Sequence, residues 1–197
     1  MDKLARKFYT CSDTVLIARE LLGKLLVVPD FDGKRVSGII AETEAYLGLE
    51  DKAAHSHLGR RTKRTEIMYA KGGVAYVFFV YGMYFQFNVV TGDEGSPHAI
   101  LIRAVEPCEG IDIMRKRRGT MPDKNLTSGP GKLAIAFGID KSFNGADLCG
   151  ERVWIEESAN QTPAEIVCGS RVGIDYAEEW AEKPLRFWLK GNSFVSK

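Results

Sequence analysis

The chain has 197 residues, 45% hydrophobic, 27% charged and 10% aromatic, with a formal net charge of only +1. That length suits one domain or at most two small ones, with a core that needs no disulfides. The charge balance excludes a global polycation, so any nucleic-acid contact must come from local basic clusters.

Residues 12–23 read as a helix. Ser12 or Asp13 can cap it, Leu16, Leu21 and Leu22 form an apolar stripe, and Gly23 can end it. Leu25 to Val28 is a strand, Asp30-Phe31-Asp32-Gly33 a turn, and Arg35 to Tyr46 the returning strand. Residues 47–64 form a polar surface loop, and Thr65 to Lys71 a short helix. Val74 to Val90 is rich in aromatic and β-branched residues, and Gly82 breaks it into two strands around a tight bend. Ala99 to Val105 is a further strand. Gly110 to Arg118 and Lys132 to Phe137 are helical; Val153 to Glu156, Arg171 to Ile174 and Arg186 to Lys190 are short strands. The predicted class is α+β: one mixed domain over residues 1–197, with a largely antiparallel β-sheet, peripheral helices and a protruding β-hairpin.

Cys11, Cys108, Cys149 and Cys168 form no C-x-x-C pair and lie in no His/Cys metal spacing. They read as reduced, mostly buried thiols, and no metal is expected. The first ten residues hold no apolar signal-peptide run, and no stretch is long enough to span a membrane.

Alternation along residues 38–46 places Ile40, Glu42, Glu44 and Tyr46 on one strand face, with Ile39, Ala41, Thr43 and Ala45 on the other. The second face is the candidate core. The first sets two carboxylates and a phenol in a row, which fits either a solvated sheet face or a general base at the mouth of a cleft. Seven of the twelve residues 76–87 are aromatic. Core packing explains most such rings, but Tyr81 and Met83 fall at the bend, where large apolar groups serve contact. A side chain that wedges into a base stack is one such use. Asn88, in an apolar strand, needs hydrogen-bond partners if buried.

Arg60, Arg61, Lys63 and Arg64 make one basic cluster, and Arg115 to Arg118 a second. Charge runs usually face solvent, but two of them beside an aromatic hairpin suit a phosphate-lined groove. Ser128-Gly129-Pro130-Gly131-Lys132 precedes a helix, so its N–H groups can hold a phosphate; its spacing is not that of a Walker loop. His55 and His57 sit in the polar loop without a metal constellation.

Several motifs in series resemble one family. Glu42-Thr43-Glu44-Ala45-Tyr46-Leu47-Gly48, then Asp51 and Ala53-Ala54-His55-Ser56, resemble the alkyladenine (3-methyladenine, methylpurine) DNA glycosylases. So do Tyr81-Gly82-Met83-Tyr84-Phe85, Asn88, Leu101-Ile102-Arg103-Ala104 with Glu106-Pro107, Ser128-Gly129-Pro130, and Lys183-Pro184-Leu185-Arg186-Phe187. The resemblance runs from about residue 13 to the C-terminus.

The resemblance implies that Glu44 is the general base and Arg103 helps to hold the attacking water. Tyr46 and His55 would contact the flipped base, Tyr81 would fill the gap it leaves, and Asn88 would crowd the 2-amino group of normal guanine. Phe78 stands where the mammalian members have Tyr, which keeps a stacking ring without a phenolic oxygen; Gln86 also departs from their pattern. Met83, Arg60, Arg61, Lys63, Arg64, Ser128, Gly129 and Lys132 are the expected DNA contacts.

The implied reaction is hydrolysis of the N-glycosidic bond of alkylated or deaminated purines, leaving an abasic site without strand cleavage. The family pattern places no Schiff-base lysine, and it implies no cofactor or metal. The implied partner is double-stranded DNA containing damaged purines, met by a monomer without membrane attachment. The location implied is cytoplasmic, with the nucleoid if bacterial, and nuclear if eukaryotic. Two rivals stay open: a non-catalytic nucleic-acid binding module, and a hydrolase of free nucleosides.

Overall fold

The computed structural model describes residues 2–119, 122–158 and 165–196. Its strands are β1 (Leu25–Pro29), β2 (Arg35–Tyr46), β3 (Ala75–Val80), β4 (Tyr84–Thr91), β5 (His98–Glu109), β6 (Trp154–Glu156), β7 (Ile166–Gly169) and β8 (Arg186–Leu189). Its α-helices are α1 (Arg6–Tyr9), α2 (Thr14–Glu20), α3 (Ile111–Arg118) and α4 (Pro130–Phe137). The sheet runs in the order β3-β4-β5-β2-β1-β6, with β8 paired to β2 and β7 to β8. These strand pairings are antiparallel. The α+β class and the hairpin expected from sequence are therefore present.

Strand β2 is the axis. β5 accompanies it from Ser37 to Tyr46. On its other edge it changes partner midway: residues 35–39 pair β1, and residues 42–44 pair β8. The change coincides with two shifts in the β2–β5 register. Ile40 faces Val105 and Glu42 faces Ala104, so Ala41 is extra on β2; Thr43 faces Ile102, so Arg103 is extra on β5. Such shifts re-aim side chains.

One face of the sheet is dry. Leu26, Ile40, Ala45, Phe87, Val89, Ile100 and Ile102 pack there with Ile17 and Ala18 of α2 and with Leu133 and Phe137 of α4. Asp13 caps α2 by accepting from the Leu16 N–H at 2.9 Å, so it is the capping residue of the two that sequence offered. Helix α4 starts two residues earlier than expected, with Pro130 in its first turn and Gly129 before it. A Cβ on Gly131 would lie 2.9 Å from the Tyr84 ring, so glycine lets this helix start press against the base of the hairpin.

Several expectations need correcting. Ile40 lies in the dry core with Ala45, not on the face of Glu42 and Glu44, because the extra residue Ala41 inverts the alternation. Glu42 and Glu44 are themselves fully buried, so the solvated-face reading fails. Helix α2 stops at Glu20, and the segment 65–71 holds a 3-10 turn, Glu66–Tyr69, rather than an α-helix. Arg171–Ile174 is not a strand, while β7 went unpredicted. The cysteines are free as expected but not mostly buried: Cys108 and Cys168 are exposed, and Cys11 and Cys149 half-buried.

The inverted alternation is directly testable. Ile40→Ala should lower unfolding free energy by about 2–5 kcal/mol, as for a fully buried aliphatic side chain. A loss below about 0.5 kcal/mol in denaturant titration would return Ile40 to a solvated face.

Candidate active site

The second face of the same strands carries the site. Because side chains alternate, Val77, Phe87, Val89, Ile100 and Ile102 go to the core, while Tyr76, Phe78, Gln86, Asn88, Ala99 and Leu101 go to the opposite side. There they line a pocket with Tyr46, His55, Met68, Arg103, Tyr81 of the hairpin, and residues 172–174. The rings are mutually fixed. His55 stands edge-on to Phe78, with centroids 4.5 Å apart, and Tyr76 lies 5.1 Å from Phe78. The Arg64 guanidinium lies over the outer ring, 4.9 Å from Phe78.

Glu44 lies just behind the pocket wall. Its Oε1 accepts from the Val172 N–H at 2.7 Å and is 3.2 Å from Arg103 Nη1; its Oε2 accepts from the Tyr46 hydroxyl at 2.9 Å. All three partners line the pocket. Burial, and then the Glu44 charge, push the Tyr46 phenol well above its usual pKa, so it remains a neutral donor. Burial works against the Arg103 cation, but Glu44 and Glu42 outweigh it and hold the guanidinium above its usual value.

Glu42, the other carboxylate of the motif, does not line the pocket. Its partners are Arg103, Arg186 and Ser196. Asn88 is buried at the pocket, its amide donating to the carbonyls of Tyr76 at 3.1 Å and Gln86 at 3.5 Å. His55 Nδ1 is 2.9 Å from the Tyr76 hydroxyl. Burial, with the charges of Arg64 and Arg60, pulls its pKa down to about 4.

Sequence reasoning missed the pair that secures the far wall. Arg171 and Asp51, both fully buried, form a two-pronged ion pair at 2.6 and 2.8 Å. Asp51 also accepts from the N–H groups of Leu47 and Ala53, Arg171 also donates to the Ala45 carbonyl, and its cation lies 4.7 Å from the Tyr46 ring centre. One pair therefore ties together the end of β2, the loop after it and the 171–174 segment. An isolated Arg in a short polar run carries no periodic signal that would have revealed this.

The hairpin tip is strained. Tyr81 has φ +53° and Gly82 φ +69°, and the Tyr81 side chain is 82% exposed. A bulky residue with positive φ costs about 1–2 kcal/mol, and Met83 beside it is also exposed.

The basic clusters differ from each other. Arg60 and Lys63 are exposed, Arg61 is engaged by Glu66 at 2.7 Å, and Arg64 leans on the pocket rim. In the second cluster, Arg115 pairs with Asp112 and Asp123, while Arg117 and Arg118 donate to the carbonyls of Ala136 and Asn125. These arginines hold α3 in place, which weakens the expectation that this cluster is a phosphate contact. Ser128 bridges Ala104, next to Arg103, and Lys132 Nζ is 3.4 Å from its hydroxyl.

A pocket walled by rings and backed by a carboxylate and a guanidinium suits a hydrolase that accepts a planar heterocycle. Comparison with known proteins narrows this. The family model described as methylpurine-DNA glycosylase (MPG) matches residues 7–193, and the chain belongs to that family. It is thus a DNA glycosylase of base-excision repair, a hydrolase of N-glycosyl bonds. A relative from Desulfitobacterium hafniense (strain Y51) is 50% identical, covering 100% of this chain and 99% of the relative. One from Clostridium acetobutylicum is 50% identical, covering 98% and 97%. One from Clostridium novyi (strain NT) is 47% identical, covering 100% of both. All three carry the provisional name 3-methyladenine DNA glycosylase.

The buried imidazole provides a test of the pocket. A pKa of about 4 keeps His55 neutral across pH 5–8. Because the unfolded chain binds this proton more readily, the His55 contribution destabilises the fold as pH falls from about 6.5 towards 4 and vanishes above that window. NMR of the His55 ring should show no titration between pH 8 and 5; a midpoint near 6.5 would contradict the enclosed geometry.

Proposed function

We propose that this glycosylase excises alkylated or deaminated purines from double-stranded DNA by rotating the nucleotide into the aromatic pocket and hydrolysing its glycosidic bond with a water activated by Glu44. The observation that carries this is the difference between the two carboxylates. Of the Glu42 partners Arg103, Arg186 and Ser196, only Arg103 lines the pocket, whereas all three contacts of Glu44 are to pocket-lining residues. Glu44 is therefore the carboxylate held against the pocket, and Arg103 Nη1 beside it can orient a water there.

In the reaction, the water oxygen bonds to C1′ as the bond from C1′ to the purine nitrogen breaks. The water proton passes to Glu44, and the bonding pair leaves with the base. The Glu44 charge also favours the oxocarbenium character that develops on the sugar. Alkylation at N3 or N7 makes the purine a cation that leaves as a neutral base, so one carboxylate suffices where many glycosidases use two. The rings of Tyr46, Tyr76 and Phe78 favour that cation by about 0.5–2 kcal/mol. The neutral His55 adds no repelling charge. Asn88, fixed by two carbonyls, stands where it can reject a normal guanine.

Tyr81 supplies the wedge, with Met83 beside it. Two large apolar side chains exposed at the tip of a hairpin, where they pack on nothing within the fold, support a contact role. Arg60 and Lys63 are placed to meet phosphates. Arg61 can do so by exchanging its Glu66 partner, and Ser128, Gly129 and Lys132 lie beside the hairpin base. We place the protein with chromosomal DNA, acting as a monomer on damaged duplex. No described helix is long and apolar enough to cross a membrane.

Duplexes bearing single lesions, scored for alkali-labile sites, test the mechanism. Glu44→Gln should still bind lesion duplex while base release slows about 10²–10⁴-fold. Release at the wild-type rate would remove Glu44 as the base. Tyr81→Ala should weaken lesion-duplex binding about tenfold, or 1.4 kcal/mol. Unchanged affinity and unchanged flipping, read from a fluorescent base analogue, would eliminate the wedge.

A further inference from the structure

Glu42 takes no direct part in this chemistry, yet it is fully buried and among the most heavily bonded side chains of the site. Its Oε1 accepts from Arg103 Nε at 2.8 Å, Arg186 Nε at 2.6 Å and the Ser196 hydroxyl at 2.9 Å; its Oε2 accepts from the Ser196 N–H at 2.7 Å. Burying a carboxylate is costly, and apolar packing of the same volume often stabilises a fold at least as well. Stability alone is therefore a poor explanation for this network.

The bonds converge on Arg103. Its Nε is held by Glu42, its Nη2 donates to Ser196 Oγ at 3.0 Å, and its Nη1 lies 3.2 Å from Glu44. The guanidinium is planar, so anchoring two of its nitrogens fixes the direction of the third. Arg103 sits at a register shift of β5, where the sheet ladder does not aim it, so the anchors must do so. The segment carrying Ser196 is itself secured. Arg186 Nη2 donates to the Ser196 carbonyl at 2.9 Å, and Asn192 Nδ2 to Glu106 at 2.7 Å.

We propose that Glu42 and Ser196 are positioning residues for the glycosylase reaction: they lock the Arg103 guanidinium so that Nη1 stays beside Glu44, which makes the 192–196 segment part of the active site. This rests on the assignment of Glu44 as the base. Glu42 does not line the pocket and acts only through Arg103.

The test is single-turnover base release from lesion duplexes, with binding measured separately. Glu42→Gln should slow release on the order of tenfold to a hundredfold, the usual cost of slight misplacement, while lesion-duplex affinity stays within a few-fold. In an Arg103→Lys background, Glu42→Gln should slow release no further, because the partner it positions is already gone. Ser196→Ala should slow release in the same direction, and Ser196→Thr, which restores the hydroxyl, should recover it. If Glu42→Gln does not fold, the Ser196 pair decides. Additive losses in the double variant, or wild-type release in Ser196→Ala, would overturn the positioning role. If Glu44→Gln remains active, the base assignment has failed instead, and the two failures are distinguishable.

Discussion

Arg103 lies between two buried carboxylates, 2.8 Å from Glu42 and 3.2 Å from Glu44, and offsets the cost of burying both. In an interior of low polarity, three such charges stabilise one another only if all are present and well aligned. That requirement reaches outward. It calls for Arg186 from β8 as a second cation on Glu42, which brings β8 onto the free edge of β2. It calls for the Val172 N–H and the Tyr46 hydroxyl on Glu44, which draws the 171–174 segment across the pocket. The Asp51–Arg171 pair then holds that segment against the end of β2.

The sheet serves two purposes because a strand has two faces. One packs aliphatic side chains against α2 and α4 and supplies most of the apolar burial. The other is free to carry rings, an amide and charges, and its rigidity comes from the dry face behind it. A site built on strands in this way keeps its atoms in place better than one built on loops. The hairpin is the exception. Beyond its pairing with β5 it extends outward to an exposed and strained tip, which suits contact with a large partner.

Much of this was legible in the sequence, for identifiable reasons. The turn at residues 30–33 marked the start of β2, and aromatic and β-branched richness broken by Gly82 marked β3 and β4. Asp13 before an apolar stripe marked the start of α2. Alternation failed at Ile40 because one unpaired residue inverts every face that follows, and nothing in local composition marks that residue. Arg171, Arg186 and Ser196 were illegible as partners because a buried ion pair depends on distant strands meeting, not on neighbours in sequence. Charge runs misled in the opposite sense: Arg115 to Arg118 look like a surface for phosphate, but Arg115 is taken up by Asp112 and Asp123, and Arg117 and Arg118 each donate to a backbone carbonyl.

The donors to Glu42 come from residues 61, 144 and 154 positions away along the chain. Contacts of such separation close large loops and form late in folding. Until β5, β8 and the 192–196 segment have all docked, Glu42 and Glu44 must stay hydrated or take up protons. A chain arrested before that point would hold a sheet and a hairpin but no charge cluster. The charge cluster is therefore complete only when these distant segments of the chain have all come together.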